Sequence, residues 1–230
     1  MSSFVPRLVS RKQILLLMCL FGLSCGLSLT GCSQFVVINY LLHGPPTVEP
    51  DFDSETGLSM SNPGVTVAVV CFAPKELQWE SPDIDEQISG MVARQMGQNH
   101  IKVIEPEFIR AWVDENPDWE KAEEIGKRFQ TNYVVEIELA EYSLYEPNST
   151  TLFRGRTEAY VHVVEMDESF EFGERIFTKE INFEFPTRVP RSSYDTSHTQ
   201  FKKEYLSRLA ERIGYLFYER FNGDMIGWAT

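Results

Sequence analysis

Cysteine is scarce and cannot pair. The 230-residue chain has four: Cys19, Cys25, Cys32 and Cys71. The first two fall in an N-terminal stretch read below as a removable leader, and the third is read as a modification site. Cys71 is then alone, which excludes an internal disulfide framework and a zinc site built on a cysteine pair. It is expected as a buried, unreactive thiol at a strand end, because no cation stands near it in sequence to lower its pKa. Positive charge is the second deficit. Lys and Arg number 21 against 34 Asp and Glu, a formal charge of −13. A surface so acidic repels phosphate backbones and excludes nucleic acid as a partner. Histidine is the third: His43, His100, His162 and His198 have no ligand-like spacing and no His-Glu-x-x-His. A Gly-x-Ser-x-Gly elbow is missing, as is a phosphate-cradling glycine loop beyond residue 31.

What remains as candidate chemistry is thin. Ser192, Ser193, Asp195 and His198 crowd one loop. A nucleophilic triad gathers its members from separate elements and adds an oxyanion hole, so this group is read as turn and capping composition. Glu136 and Glu138 are read as the solvated face of a strand, and His162 as a surface histidine. The expectation is a non-enzyme with no cofactor and no metal.

The N-terminus is more informative. Arg7, Arg11 and Lys12 precede an apolar run from Ile14 to Leu29, the order of a secretory leader. The run is short for a membrane span, which needs ~20 residues. It ends in Leu29-Thr30-Gly31-Cys32, which resembles the lipobox of the bacterial lipoprotein family. The resemblance implies cleavage between Gly31 and Cys32 and lipid on Cys32. It also implies a multiply acylated anchor, which holds a membrane firmly where one chain does not. Ser33 follows in place of the Asp that in that family often retains a protein at the inner membrane, so the outer membrane is favoured, facing the periplasm. Loss of residues 1–31 removes Arg7, Arg11 and Lys12 and leaves 18 bases against 34 acids, a charge of −16.

Residues 32–64 are read as anchor and tether. Residues 33–42 are apolar, and 43–64 hold Pro45, Pro46, Pro50, Pro63, Gly44, Gly57 and Gly64. These breakers predict an extended spacer. The acidic stretch from Glu49 to Glu55 is read as solvated linker, since it lacks the spacing of a calcium loop.

Residues 65–230 are expected to form one domain. With 43% hydrophobic residues in the chain, a core is available. Val65–Phe72 is a near-continuous apolar run that suits a strand covered on both faces. Ser81-Pro82 is read as a helix start, with Ile84, Ile88, Met91 and Val92 on one face. Ile101–Ile104 is read as a second strand, parallel to the first through a crossover. Pro106 opens a helix with the stripe Phe108, Ile109, Trp112 and Val113. Asn116-Pro117-Asp118 restarts helix, with Trp119, Ala122, Ile125, Gly126 and Phe129 inward. Three alternating runs follow: Asn132–Leu144, Leu152–Met166 and Arg175–Phe185. They predict an antiparallel meander, with Arg154 and Arg156 facing Glu136 and Glu138 across strands. A helix over Thr199–Phe221 buries Phe201, Tyr205, Leu209, Ile213, Leu216 and Phe217. The order β-α-β-α-α-β-β-β-α predicts a mixed sheet of about five strands with helices packed on it, an α+β or α/β fold.

Residues 65–144 also resemble the α/β module of several periplasmic lipoproteins. The quoted stretches are Val67-Ala68-Val69-Val70, Ile101-Lys102-Val103-Ile104-Glu105, Phe108–Val113, Ala122–Phe129 and Asn132-Tyr133-Val134-Val135. They are similar to the N-terminal domain of the Tol–Pal translocation protein, the curli-secretion lipoproteins and the lipoprotein activators of penicillin-binding proteins. Glu136 and Glu138 depart from the Gly usual in that region. The resemblance carries no catalytic residue. It implies a tethered, non-catalytic envelope lipoprotein that binds a protein partner in assembly or export. Two other readings stand beside it: a module for a small envelope lipid or glycan, held in an apolar pocket beneath the meander, and an enzyme with a site assembled from distant residues.

Overall fold

A computed structural model describes residues 46–222 of the chain. The leader, Leu29-Thr30-Gly31-Cys32 and the apolar 33–42 lie outside the described residues. The compact unit that begins at Thr47 contains, among the described residues, β1 (Thr47–Val48), α1 (Asp51–Thr56), β2 (Val67–Phe72), α2 (Lys75–Glu80), α3 (Ile84–Gln98), α4 (Pro106–Glu115) and α5 (Ala122–Phe129). Then come β3 (Tyr133–Tyr145), β4 (Leu152–Met166), β5 (Gly173–Phe185), β6 (Arg191–Ser192), α6 (His198–Gly214) and β7 (Arg220–Phe221).

The main sheet has five strands in the order β2-β3-β4-β5, with β6 pairing on β4. β2 and β3 are parallel, and β3, β4 and β5 are antiparallel neighbours. The fold is therefore α+β with a mixed sheet, as the element order predicts. The parallel pair follows from burial. Along β2, Val67, Val69 and Cys71 enter one apolar cluster with α3 and α6, while Ala68 and Val70 enter another with α4 and α5. A strand covered on both faces has no solvated side on which to place polar residues. Beyond Val135 the helices on the second face stop, and Glu136, Glu138 and Glu158 alternate outward in β3 and β4.

The expected second strand at Ile101–Ile104 reduces to one parallel bridge, Val67 to Val103. Val67 N–H donates to Lys102 O at 2.9 Å and Ile104 N–H to Val67 O at 2.8 Å. Ser81-Pro82 ends a helix instead of starting one: Ser81 N–H donates to Leu77 O at the end of α2. α3 starts at Ile84 after Asp83, whose φ is +59°. Likewise α5 starts at Ala122, where Glu124 accepts from the Glu120 and Lys121 amides, and not at Pro117. Phe108 is exposed, leaving Ile109 as the buried anchor of α4.

The larger correction concerns the tether. Residues 47–64 are part of the folded unit. The breakers that predicted an extended spacer act as caps. Pro50 occupies the N-cap of α1, where a missing N–H costs nothing, and Gly57 closes it with φ +72°. Between them Phe52 is fully buried against Tyr133, Phe177 and Phe217, with ring centroids 5.7, 5.6 and 6.1 Å away. Its amide donates to Leu216 O at 2.9 Å. Outside, Lys179 of β5 bridges Asp51 at 3.0 Å and Glu55 at 2.7 Å. Met60 is also fully buried. β1 pairs antiparallel with β7, so both ends of the described chain are held together.

The core beneath β3–β5 is aromatic. Phe153, Phe183, Phe185, Phe201 and Tyr205 form a run of near contacts. The space in which the small-ligand reading needs an apolar pocket is occupied by these rings. Tyr205 shares a 2.7 Å hydrogen bond with Thr157 Oγ1 and donates to Phe183 O at 3.2 Å. Its ring lies so close to Gly155 that a Cβ there would stand 2.1 Å from Tyr205 Cδ2. Gly155 is thus required by a close approach and not by a turn.

Replacing Phe52 with Ala is expected to destabilise the domain by about 3–5 kcal/mol, measured by urea unfolding. Lys179→Ala, which removes only a half-exposed bridge, is expected to cost roughly 1 kcal/mol or less. Equal unfolding of wild type and Phe52→Ala would mean that α1 is not part of the core.

Candidate functional site

The residues singled out in sequence do not meet. Ser192 and Ser193 lie at β6, where Ser193 N–H donates to Thr151 O at 2.8 Å. Ser192 Oγ accepts from Tyr194 N–H, and Asp195 N–H donates back to Ser192 O. His198 stacks on Tyr145 at 5.9 Å. These are turn and packing contacts, and none aligns a base on a nucleophile.

The expected cross-strand pairs are also re-partnered. Register places Glu136 opposite His162 and Glu138 opposite Tyr160. Arg154 instead binds Glu146 at 2.6 Å and Glu184 at 2.8 Å, and Glu136 meets Arg175 at 3.4 Å. The hairpin register itself separates Arg156 from the acids assigned to it: Arg156 lies opposite Ser143, several residues along β3 from Glu136 and Glu138.

His162 is buried, not a surface histidine. Its Nδ1 lies 2.9 Å from Thr178 Oγ1 and its Nε2 3.7 Å from Glu138. Burial, then the Arg175 cation, hold its pKa below the ordinary histidine value. Burial also raises the Glu136 carboxyl, with Glu138 and Glu123 adding repulsion against the opposing pull of Arg175. Cys71 is a buried free thiol, as expected, and burial followed by Asp85 pushes its pKa well up. Among the described residues no group of three His, Cys, Asp or Glu side chains could hold a metal ion. No described helix is long and apolar enough to cross a membrane.

A cleft lies elsewhere, at the carboxyl end of β2. It measures about 560 Å3 and is lined by Val70 and Cys71, by Gln78 and Trp79 of α2, by α3 as far as Arg94 and by one side of α4 from Pro106 to Asp114. Its volume falls within the ~300–1,000 Å3 of small-ligand sites. The topology explains its place. Val67 pairs with Val103 on one edge and with Tyr133 of β3 on the other. The connection to Val103 runs through α3 on one face, and the connection to β3 through α4 and α5 on the other. Helices leaving a strand on opposite faces diverge, and the gap opens beyond the strand's carboxyl end. Asp85 is held there by Gln78 Nε2 at 3.2 Å and by the Glu86 amide at 2.9 Å. Arg110 pairs with Glu86 at 2.5 Å and with Asp114 at 3.7 Å. Trp79 is 79% exposed. Sequence reasoning missed the cleft because α2 was not expected. The signal was Trp79 itself, an aromatic with no periodic apolar neighbours.

No protein-family model matches the chain, and no curated protein matches its sequence. Solved structures do resemble it. The PelC dodecamer from Paraburkholderia phytofirmans is 10% identical, with a TM-score of 0.44, covering 75% of this chain and 96% of that one. Lipoprotein GNA1162 from Neisseria meningitidis is 14% identical, with a TM-score of 0.38, covering 65% of this chain and 97% of that one. The hypothetical protein CT253 from Chlamydia trachomatis is 13% identical, with a TM-score of 0.42, covering 66% and 97%.

The depressed His162 pKa gives a pH prediction. A depressed folded pKa contributes stability above the unfolded value, near 6.5, and loses it as pH falls through the folded pKa. Wild-type stability in urea is therefore expected to fall as the pH drops below about 6.5, and His162→Gln to flatten that slope. An unchanged slope in the variant would show that His162 does not contribute.

Proposed function

We propose that the chain is a membrane-tethered, non-catalytic lipoprotein of the cell envelope, cleaved before Cys32 and acylated there, whose domain binds a protein partner in envelope assembly or export. The observation that carries the location is Leu29-Thr30-Gly31-Cys32 at the end of a basic and then apolar N-terminus. Ser33 favours the outer membrane, on the face open to the periplasm. The reduced, buried Cys71 suits an oxidising compartment, since it neither pairs nor reacts.

Partner binding is supported by the surface. Phe72, Trp79 and Phe108 are 49%, 79% and 63% exposed. Large aromatics held in water on a domain with a filled core suit a contact surface. The non-catalytic reading is supported by how the polar groups are used: Ser192, Asp195 and His198 serve the β6 turn and its packing, and Tyr205 and Thr157 satisfy each other.

Two measurements test these claims. Labelled palmitate is expected to enter the wild-type protein and not Cys32→Ala; equal labelling of the two overturns the anchor. A photo-crosslinking amino acid placed in turn at Gln87, Glu107, Tyr160 and Tyr194 in growing cells is expected to give a discrete protein adduct from at least one position. Absence of adducts from all four overturns partner binding.

A further inference from the structure

We propose that the cleft at the carboxyl end of β2 receives an arginine- or lysine-bearing segment of the partner protein; this deepens the partner-binding reading and rests on it. The cleft walls carry five carboxylates, Asp83, Asp85, Glu86, Glu107 and Asp114, against two guanidinium groups, Arg94 and Arg110. Arg110 is spent on Glu86 and Asp114. Asp83 and Glu107 have no ion-pair partner among the described residues, and Arg94 leaves the walls net negative.

The helix terminus in the cleft does not reverse this sign. α3 begins there, but its first turn carries Asp85 and Glu86, which answer the partial positive charge of the helix dipole with the protein's own acids. An anionic ligand would meet carboxylates before amides. Trp79 supplies the second attraction. Its ring lines the cleft and is mostly exposed, and an indole face is the best aromatic partner for a guanidinium or ammonium group. Carboxylates beside an open indole are complementary to a cation on an apolar stem.

The occupant is a chain segment more than a free amine. Phe108, adjoining the cleft residues Glu107 and Ile109 in α4, is 63% exposed. A small amine would leave both rings in water, whereas a peptide carries apolar side chains beside its cation. The position is also the one the topology opens, between helices that cover β2 on opposite faces.

The test uses the full chain and a display library of random dodecapeptides, selected at about physiological ionic strength so that diffuse attraction is screened. Selected peptides are expected to be enriched in Arg and Lys. Their affinities, read by fluorescence anisotropy, are expected to weaken roughly tenfold on Trp79→Ala and several-fold on Glu107→Gln. Glu180→Gln, an exposed carboxylate on β5, is expected to leave them unchanged. Both cleft side chains are exposed, and the thermal unfolding midpoint of each variant checks that it folds. Selection of neutral or acidic peptides overturns the proposal, as does affinity that ignores Trp79→Ala. An equal loss on Glu180→Gln overturns it too, since binding would then follow net charge. A protein adduct from a crosslinker at Tyr160 but not at Glu107 or Gln87 overturns the cleft while leaving partner binding standing. No adduct at any position removes both.

Discussion

The constraint on which the structure depends is the burial of β2 on both faces. Six residues, Val67–Phe72, have no polar position before Phe72 to turn toward water. Each face must be covered by helix, and a parallel partner with helical crossovers is how a chain covers both. From this follow the placement of α3 on one side and of α4 and α5 on the other, the parallel pairing with β3, and the gap past the strand's end. The antiparallel meander is a different regime. Once β3 leaves the shelter of α4 and α5, its outward positions become Glu138 and Glu141, and one face is left to solvent.

Much of this was legible in the sequence because it is periodic. β3, β4 and β5 were found nearly to the residue, since alternation over a dozen positions is hard to mistake. The inward face of α6 is legible at Phe201, Tyr205, Leu209 and Ile213, but the helix ends at Gly214 and not at Phe221, and Leu216 and Phe217 are buried beyond its end. What failed was short. Ser81-Pro82 and Pro117 read as helix starts and Pro50 and Gly57 as breakers of a spacer, because proline and glycine serve equally to interrupt structure and to cap it. Six-residue helices such as α1 and α2 give too few turns for a stripe to show. Phe52 was the available clue, an aromatic among acids in a stretch otherwise suited to solvent.

The site was less legible than the fold. Pairing of Arg154 with Glu146 and Glu184 depends on register, which sets Arg154 near the turn end of the hairpin and away from Glu136 and Glu138. The cleft is made by residues from four elements, from Val70 to Asp114, and no spacing in the sequence brings them together. His162 reads as polar by strand parity and is nevertheless buried, because Thr178 and Glu138 from both neighbouring strands close over it. In each case the missing information is lateral: which strand lies beside which, and at what offset.

The pairing of β1 with β7, and of the Phe52 amide with Leu216, has a mechanical consequence. Any pull arriving along the chain from its N-terminal side enters the domain at Thr47. It is met first by the short β1–β7 ladder, then by the α1 lock, whose Phe52 ring must leave the core before the load reaches β2. These two elements form a fuse in series with the sheet. Because Phe52 and Met60 belong to the same core as Tyr133, Phe177 and Phe217, load that pulls out residues 47–64 also opens the packing beneath β3–β5.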